Sequence, residues 1–146
     1  MKVQKAIEIR ARPTKIWPYF VEPEKVLQWY STFKKFEYTG RKRTGVGTTL
    51  YVEEQSGPSQ MKIHYKVTAW KKNEKVALQM VSGSGVKSYR QAWTLKPTRS
   101  GTRFTFFEEV ELPLGILGKL IGLIAQGMSE STVDSIQLKL KSLVEA

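Results

Sequence analysis

The chain of 146 residues contains no cysteine and a single histidine, His64. Without cysteine there can be no disulfide, no thiolate metal site and no cysteine nucleophile. One imidazole without a cluster of spaced carboxylates does not make a transition-metal site, so we expect no bound metal and no cofactor. His64 alternates with Lys62 and Lys66, which indicates a solvent-facing position and no catalytic role.

Acidic residues are also few, because 13 Asp and Glu stand against 24 Lys and Arg, and the formal net charge is +11. Such a charge attracts anionic surfaces and polyanions at low salt, although solubility alone also explains it. Short basic groups at residues 34–35, 41–43 and 71–75 lie among aromatic residues. These groups fall mostly on predicted turns and outer strand faces, which favours contact with an anionic membrane surface over nucleic-acid binding.

Long apolar runs are absent as well. Residues 1–5 have no apolar h-region, so we expect no signal peptide and a cytoplasmic protein. The apolar part of the C-terminal segment is shorter than the ~20 residues that a membrane span needs. Hydrophobic residues make up 40% and aromatics 11%, which is typical of a globular protein, and the length suits one domain, residues 1–146.

Alternating polarity dominates the first two thirds of the chain. Residues 2–11 predict a half-buried strand, and two short helices follow, the first opened by Pro13 and the second by Pro23. Six further strands are predicted at residues 33–39, 48–55, 61–69, 76–80, 86–96 and 102–110. Because six of the seven strands are consecutive, we expect an antiparallel meander in an α+β fold.

Residues 114–144 predict one long C-terminal helix. Its second half carries an apolar stripe of Val133, Ile136, Leu140 and Leu143, and its first half is apolar nearly all round. Such a helix must cover the concave side of a sheet. The predicted fold class is therefore α+β, with a seven-stranded curved antiparallel sheet gripping a long C-terminal helix and two short helices after strand 1 (helix-grip).

Four glycines, Gly115, Gly118, Gly122 and Gly127, lie in the apolar half of this helix. Each costs roughly 1 kcal/mol of helix stability relative to alanine. Two interpretations are open: the glycines permit close packing, or they let this half lift as a gate that admits an apolar ligand.

Three segments of the chain share their pattern with one superfamily. Residues 9–17, IRARPTKIW, resemble the first strand and the Ala-x-Pro-x-x-(Val/Ile)-Trp helix start of the START-related, helix-grip superfamily (SRPBCC). Residues 45–48, GVGT, resemble its Val-Gly turn, and residues 95–105, LKPTRSGTRFT, resemble its Leu-x-Pro and Gly-Thr-Arg hairpin. With the terminal helix, the resemblance covers essentially the whole chain and indicates the polyketide cyclase/dehydrase and lipid-transport branch.

The resemblance implies a hydrophobic cavity between sheet and terminal helix that binds a small hydrophobic or amphipathic ligand, such as a lipid, a quinone or a polyketide. The superfamily shares a fold more than a set of catalytic residues, so no catalytic residue is carried over. The sequence shows no nucleophile–base pair, which favours a binding protein. The alternatives are a polyketide cyclase or dehydratase-type enzyme and a basic module that binds a membrane surface or a partner.

We predict that this cavity is lined by the strand residues on the apolar face of the sheet and by the apolar half of the helix. The predicted ligand-binding residues are Tyr51, Met61, Ile63, Tyr65, Arg90, Trp93, Phe104, Phe106, Glu108, Leu120, Ile121 and Ile124. Tyr65 either orients a ligand or belongs to the core. Glu108 is either a desolvated carboxyl suited to acid–base chemistry or a solvated strand end near Arg90 or Arg103. Arg90 faces inward only if Trp93 does not, since their parities differ.

Overall fold

The computed structural model describes residues 1–83, 86–112 and 118–146, with their side chains except those of Ser56, Ser59 and residues 118–128. The elements in chain order are β1 Lys2–Ile9, α1 Pro13–Ile16, α2 Pro18–Val21, α3 Pro23–Trp29, β2 Phe33–Thr39, β3 Thr49–Ser56, β4 Ser59–Lys71, β5 Lys75–Gly83, β6 Ser88–Thr98, β7 Gly101–Glu111 and α4 Gly118–Glu145. The predicted fold class is confirmed: seven strands precede one long terminal helix.

The seven strands form one antiparallel sheet in the order β1-β7-β6-β5-β4-β3-β2. The first strand pairs with the last, so that Val3 lies opposite Glu108 and Ile9 opposite Thr102. β1 and β2 therefore occupy the two edges of the sheet, and α1 to α3 carry the chain from one edge to the other. At the β6–β7 turn a Cβ on Gly101 would overlap the Ile9 carbonyl oxygen, so only glycine fits this close approach to β1.

The segment between β1 and β2 forms three short helices, whereas the sequence predicted two. Pro18 is the cause: it lacks the N–H that would continue α1, and it begins α2 instead. The amide of Trp17 closes the first turn on the Pro13 carbonyl at 2.9 Å, and the amide of Glu22 closes the second on Pro18 at 2.9 Å. The three helices bury Ile16, Phe20, Val26 and Trp29.

The sheet curves around its inner face. The register shifts once in the β2–β3 pair and twice in the β4–β5 pair, and such bulges bend strands and increase their twist. The side chains of Tyr89 on β6 and Glu54 on β3, three strands away in the sheet, lie close enough together for the Glu54 carboxylate to raise the pKa of the Tyr89 hydroxyl. In a flat sheet these two strands would lie roughly 14 Å apart, which is too far for the two side chains to meet. The inner face is therefore concave.

The second half of α4 packs on β1 and α3. Its buried side chains are Val133, Ile136, Gln137, Leu140 and Val144. Gln137 donates through Nε2 to the Lys5 carbonyl at 2.9 Å, and Lys141 donates through Nζ to the Glu8 carbonyl at 2.8 Å. The prediction of a helix at 114–144 packed on an antiparallel sheet is confirmed from Gly118 onward. Residues 114–117 and the side chains around the glycines lie outside the described part, so the gate stays a prediction.

Aromatic side chains from the short helices fill one part of the interior. The ring centroids of Trp29 and Trp93 are 5.3 Å apart, and those of Phe20 and Trp93 are 5.6 Å apart, both in edge-to-face geometry. Phe104 joins them at 5.3 Å from Phe20. Each of these four side chains is at most 1% exposed. Edge-to-face pairs add to the stabilisation from burial, so this cluster fixes the helices against β6 and β7.

Candidate functional site

Alternation along the strands decides which side chains reach the concave face. A buried glutamate occupies this face on β3 and another on β7, among residues that are otherwise mostly aliphatic or aromatic. The buried inner-face side chains around them are Val52 and Glu54 on β3, Ile63 and Tyr65 on β4, Tyr89, Gln91 and Trp93 on β6, and Phe104, Phe106 and Glu108 on β7.

The Gln91 amide is the centre of one hydrogen-bond network. Its Oε1 accepts from the Tyr30 hydroxyl at 3.0 Å and from Trp93 Nε1 at 3.1 Å. Its Nε2 donates to the Tyr65 hydroxyl at 3.3 Å. The Tyr30 ring stacks on Phe33 with centroids 3.6 Å apart, which fixes the hydroxyl from the helix side. The hydrogen bonds to Oε1 and from Nε2 set the orientation of the Gln91 amide. They also link the end of α3, β4 and β6.

Two buried carboxyls lie beside this network. Glu108 accepts a hydrogen bond from the Tyr89 hydroxyl at 2.7 Å, and Glu54 accepts one on Oε2 from Thr32 at 2.9 Å. The second oxygen of Glu54, Oε1, is buried and has no hydrogen-bond partner. We call this set the buried polar cluster, and its members are Tyr30, Thr32, Glu54, Tyr65, Tyr89, Gln91 and Glu108.

Burial raises the pKa of both carboxyls. It raises the pKa of Glu54 to about 8, assisted by the negative charge of Glu108 and opposed by the hydrogen bond from Thr32. Burial also raises the pKa of Glu108, which the bond from Tyr89 partly offsets. Within the described residues no cationic side chain contributes to either pKa. At neutral pH Glu54 is therefore mostly protonated, inside a site without a counter-charge from the described chain.

The three tyrosines keep their protons. Burial raises the pKa of Tyr30, Tyr65 and Tyr89 well above the ordinary value, and the neighbouring Glu54 adds to this in each case. The cluster can therefore offer hydroxyl donors and carboxyl oxygens to a polar group, and it can exchange a proton through Glu54. No group of three or more His, Cys, Asp or Glu residues suited to a metal occurs among the residues described.

Two predicted ligand-binding residues lie on the wrong face. Tyr51 is on the outer face of β3, where its hydroxyl donates to Glu53 at 2.8 Å and its ring lies 5.0 Å from His64. Arg90 is exposed on β6, and its Nε bonds to Glu109 at 2.8 Å. Side chains alternate between the two faces of a strand, and the sequence neighbours of Tyr51 and Arg90 point inward. Both residues therefore face away from the interior.

The other predicted residues of the sheet lie on the inner face. Ile63, Tyr65, Trp93, Phe104, Phe106 and Glu108 are buried there, and Met61 is half-buried beside Glu54. The alternative of a solvated Glu108 near Arg90 or Arg103 is wrong, because those arginines pair with Glu109 and Glu8. The side chains of Leu120, Ile121 and Ile124 lie outside the described part, and with them the helix wall of the cavity, which stays a prediction.

Several members of the buried polar cluster were not predicted. Glu54 lies two and four residues from Val52 and Leu50, so it is on the same face of β3 as these buried residues. The same alternation in the sequence predicted that Glu108 shares a face with Phe104 and Phe106. Gln91 likewise shares its parity with Trp93. Tyr30 follows the last turn of α3, and no strand or helix period in the sequence indicates where its side chain points.

A basic cleft lies at another part of the surface, around the start of α1 and the turns after β4 and β6. It has a volume of about 830 Å³, and its cationic lining residues are Arg10, Arg12, Lys72 and Arg99. This cleft is not the predicted cavity, since none of its lining residues is among the predicted ligand-binding residues.

The aromatic residues next to Lys34 and Lys35 do not lie on the surface with them. Phe33 and Phe36 are buried, so they do not join the two lysines between them on the surface. Among the described helices, none is long and apolar enough to span a membrane.

Solved structures of other proteins share this fold. The protein TTHA0849 of Thermus thermophilus is 19% identical, with a TM-score of 0.83 over 99% of this chain and 97% of that one. A START superfamily protein of Mycobacterium smegmatis is 18% identical, with a TM-score of 0.80 over 99% and 97% of the two chains. Major latex-like protein 151 of Panax ginseng is 11% identical, with a TM-score of 0.76 over 100% and 98%.

At these identities the likeness shows the fold alone. No curated protein matches the sequence. The family described as polyketide cyclase / dehydrase and lipid transport matches residues 1–145, which is nearly the entire chain. The match agrees with the sheet, the terminal helix and the buried inner face described above. The chain therefore belongs to the polyketide cyclase / dehydrase and lipid-transport family.

Proposed function

We propose that the protein binds a small hydrophobic or amphipathic molecule between the concave face of the sheet and α4. One observation carries the proposal: an apolar inner face holds a buried polar cluster in which a carboxyl oxygen of Glu54 has no partner. Ligand pockets combine apolar walls with a few convergent polar groups in this way. The family match supports the same interpretation, since its description includes lipid transport.

The proposal predicts that added volume beside Glu54 blocks binding. Met61 is half-buried on the inner face and pairs with Glu54 across β3 and β4. We expect Met61→Trp to weaken binding of the neutral fluorophore N-phenyl-1-naphthylamine by about tenfold or more, because the indole occupies space that the ligand needs. Titration of the fluorescence of the bound fluorophore gives the affinity.

The matched control is Val81→Trp, which places an indole on β5 at a position that is 65% exposed. Its affinity for the fluorophore should equal that of the unaltered protein. Thermal unfolding of both variants shows whether either has lost its fold. Equal affinities in the two folded variants, or no binding by the unaltered protein, would contradict the proposal.

A second candidate function is acid–base catalysis on a polyketide-like substrate. It is favoured by two buried carboxyls with raised pKa, because perturbed groups of this kind concentrate at active sites. In that case Glu54 and Glu108 exchange protons and Tyr65 orients a substrate oxygen, while Arg90 has no part in it. Glu108→Gln distinguishes the two functions: a binding protein keeps most of its affinity and shows no turnover in either form, whereas an enzyme converts a bound ligand only with the carboxyl present.

A further inference from the structure

The unpartnered oxygen of Glu54 indicates which chemical group suits this site. Buried polar atoms in folded proteins almost always have a partner, and leaving one without costs free energy. Glu54 is only 6% exposed, and its Oε2 already accepts from Thr32. Its Oε1 belongs to the same cluster as the Tyr89–Glu108 pair and has no hydrogen-bond partner there.

No cation of the described residues lies beside the two carboxyls of the cluster. The charge of either carboxyl, once it is ionised, is therefore not offset by the described chain, although the protein as a whole carries +11. Aromatic side chains also belong to the cluster: Tyr89 bonds to Glu108 and meets Tyr65 edge to face at 6.0 Å, and Tyr30 stacks on Phe33. Carboxylates among aromatic faces are the environment that recognises an ammonium group.

We propose that the buried polar cluster binds the amine of an amphipathic ligand whose apolar body lies along the inner face of the sheet. The ammonium donates to Glu54 Oε1 and offsets the charge that Glu54 carries in the bound state. This inference rests on the proposed function, because the apolar body needs the space between sheet and helix. An alcohol can donate the same hydrogen bond, but it brings no charge to the carboxyls.

Amine binding releases a proton. The ligand enters as R–NH₃⁺, Glu54 changes from the acid to the carboxylate, and its proton passes to the solvent. The other titratable groups facing Glu54 are Tyr30 at the end of α3, Tyr65 from β4, Tyr89 from β6 and Glu108 from β7. The tyrosines stay neutral near pH 7, so they release no proton on binding. Amine affinity should therefore rise from pH 6 to pH 8, as free Glu54 loses its proton.

The experiment is isothermal titration calorimetry with n-decylamine, n-decanol and n-decanoate, each below its micellar concentration. Measurements at pH 7 in two buffers of different ionisation enthalpy give the number of protons released. We expect decylamine to bind at least about tenfold more tightly than decanol, with release of about one proton. Glu54→Gln should abolish both the preference and the release, and Glu53→Gln on the outer face should leave them unchanged.

The results distinguish failure of the amine assignment from failure of hydrophobic ligand binding itself. Equal affinity for amine and alcohol without proton release overturns the amine assignment and leaves hydrophobic ligand binding in place. The tightest binding by decanoate also overturns it, because a carboxylate would then be preferred to an ammonium. If neither the decyl compounds nor N-phenyl-1-naphthylamine binds, the proposed function itself fails, and this inference fails with it.

Discussion

Replacing Glu54 by Gln is expected to flatten the dependence of stability on pH. Between pH 5 and pH 8 the free energy of unfolding of the unaltered protein should fall by roughly 3 kcal/mol more than that of Glu54→Gln. The pKa of Glu54 is about 8 in the folded protein against an ordinary value of 4.5. The folded state therefore binds this proton more tightly than the unfolded chain does. The resulting stabilisation is complete below pH 4.5 and is lost as the pH rises through 8.

Urea unfolding at a series of pH values measures this difference directly. Glu53→Gln is the matched control, since Glu53 is the preceding residue of β3 and lies on the outer face beside Tyr51. Its stability should follow the unaltered protein at every pH. Parallel curves for the unaltered protein and Glu54→Gln would mean that Glu54 is solvated or paired with a cation, and the buried polar cluster would then lose its main electrostatic feature.

Replacing Trp93 by Ala is expected to cost about 3–5 kcal/mol of stability, the range for removing a large buried aromatic side chain. Trp93 is 1% exposed and packs edge to face against both Phe20 and Trp29. Its loss leaves a cavity between the short helices and β6. It also removes the Nε1 donor that bonds to Gln91.

Trp93→Phe separates these two contributions. The phenyl ring keeps part of the packing and loses the hydrogen bond, while Tyr30 still donates to Gln91. We expect this variant to lose less than half of the stability that Trp93→Ala loses. Chemical denaturation of all three proteins at one pH, pH 5, gives both values, because the contribution of Glu54 is then common to them and cancels in the differences. A loss below about 1 kcal/mol in Trp93→Ala would show that the aromatic cluster does not stabilise the fold as described.

The sequence pattern was sufficient to predict the sheet and the terminal helix. On β4 the residues Met61, Ile63 and Tyr65 alternate strictly with polar neighbours, so the burial of this parity could be predicted. On β3 the pattern failed, because apolar residues occupy both parities around Tyr51. A local pattern of this kind does not say which of the two faces the interior.

The buried polar cluster depends on contacts between distant segments. Glutamate in a strand ordinarily indicates a solvent-facing position, and only the curvature of the sheet brings Glu54 on β3 within reach of Tyr89 on β6. Thr32 and Tyr30 reach the cluster from the end of α3, because the helices cross from one edge of the sheet to the other. The raised pKa of Glu54 follows from this assembly, so it could not be predicted from the strand alone.

Native mass spectrometry is the most direct test of ligand binding in the interior. The protein is purified without detergent, incubated with a total lipid and quinone extract, freed of excess extract and measured at pH 7 beside Met61→Trp. We predict a complex heavier than the 16.7 kDa chain, from which denaturation releases an apolar or amphipathic molecule. The complex should be much weaker or absent in Met61→Trp. Observation of the unliganded chain alone, or the same complex in both proteins, would contradict binding between the sheet and α4.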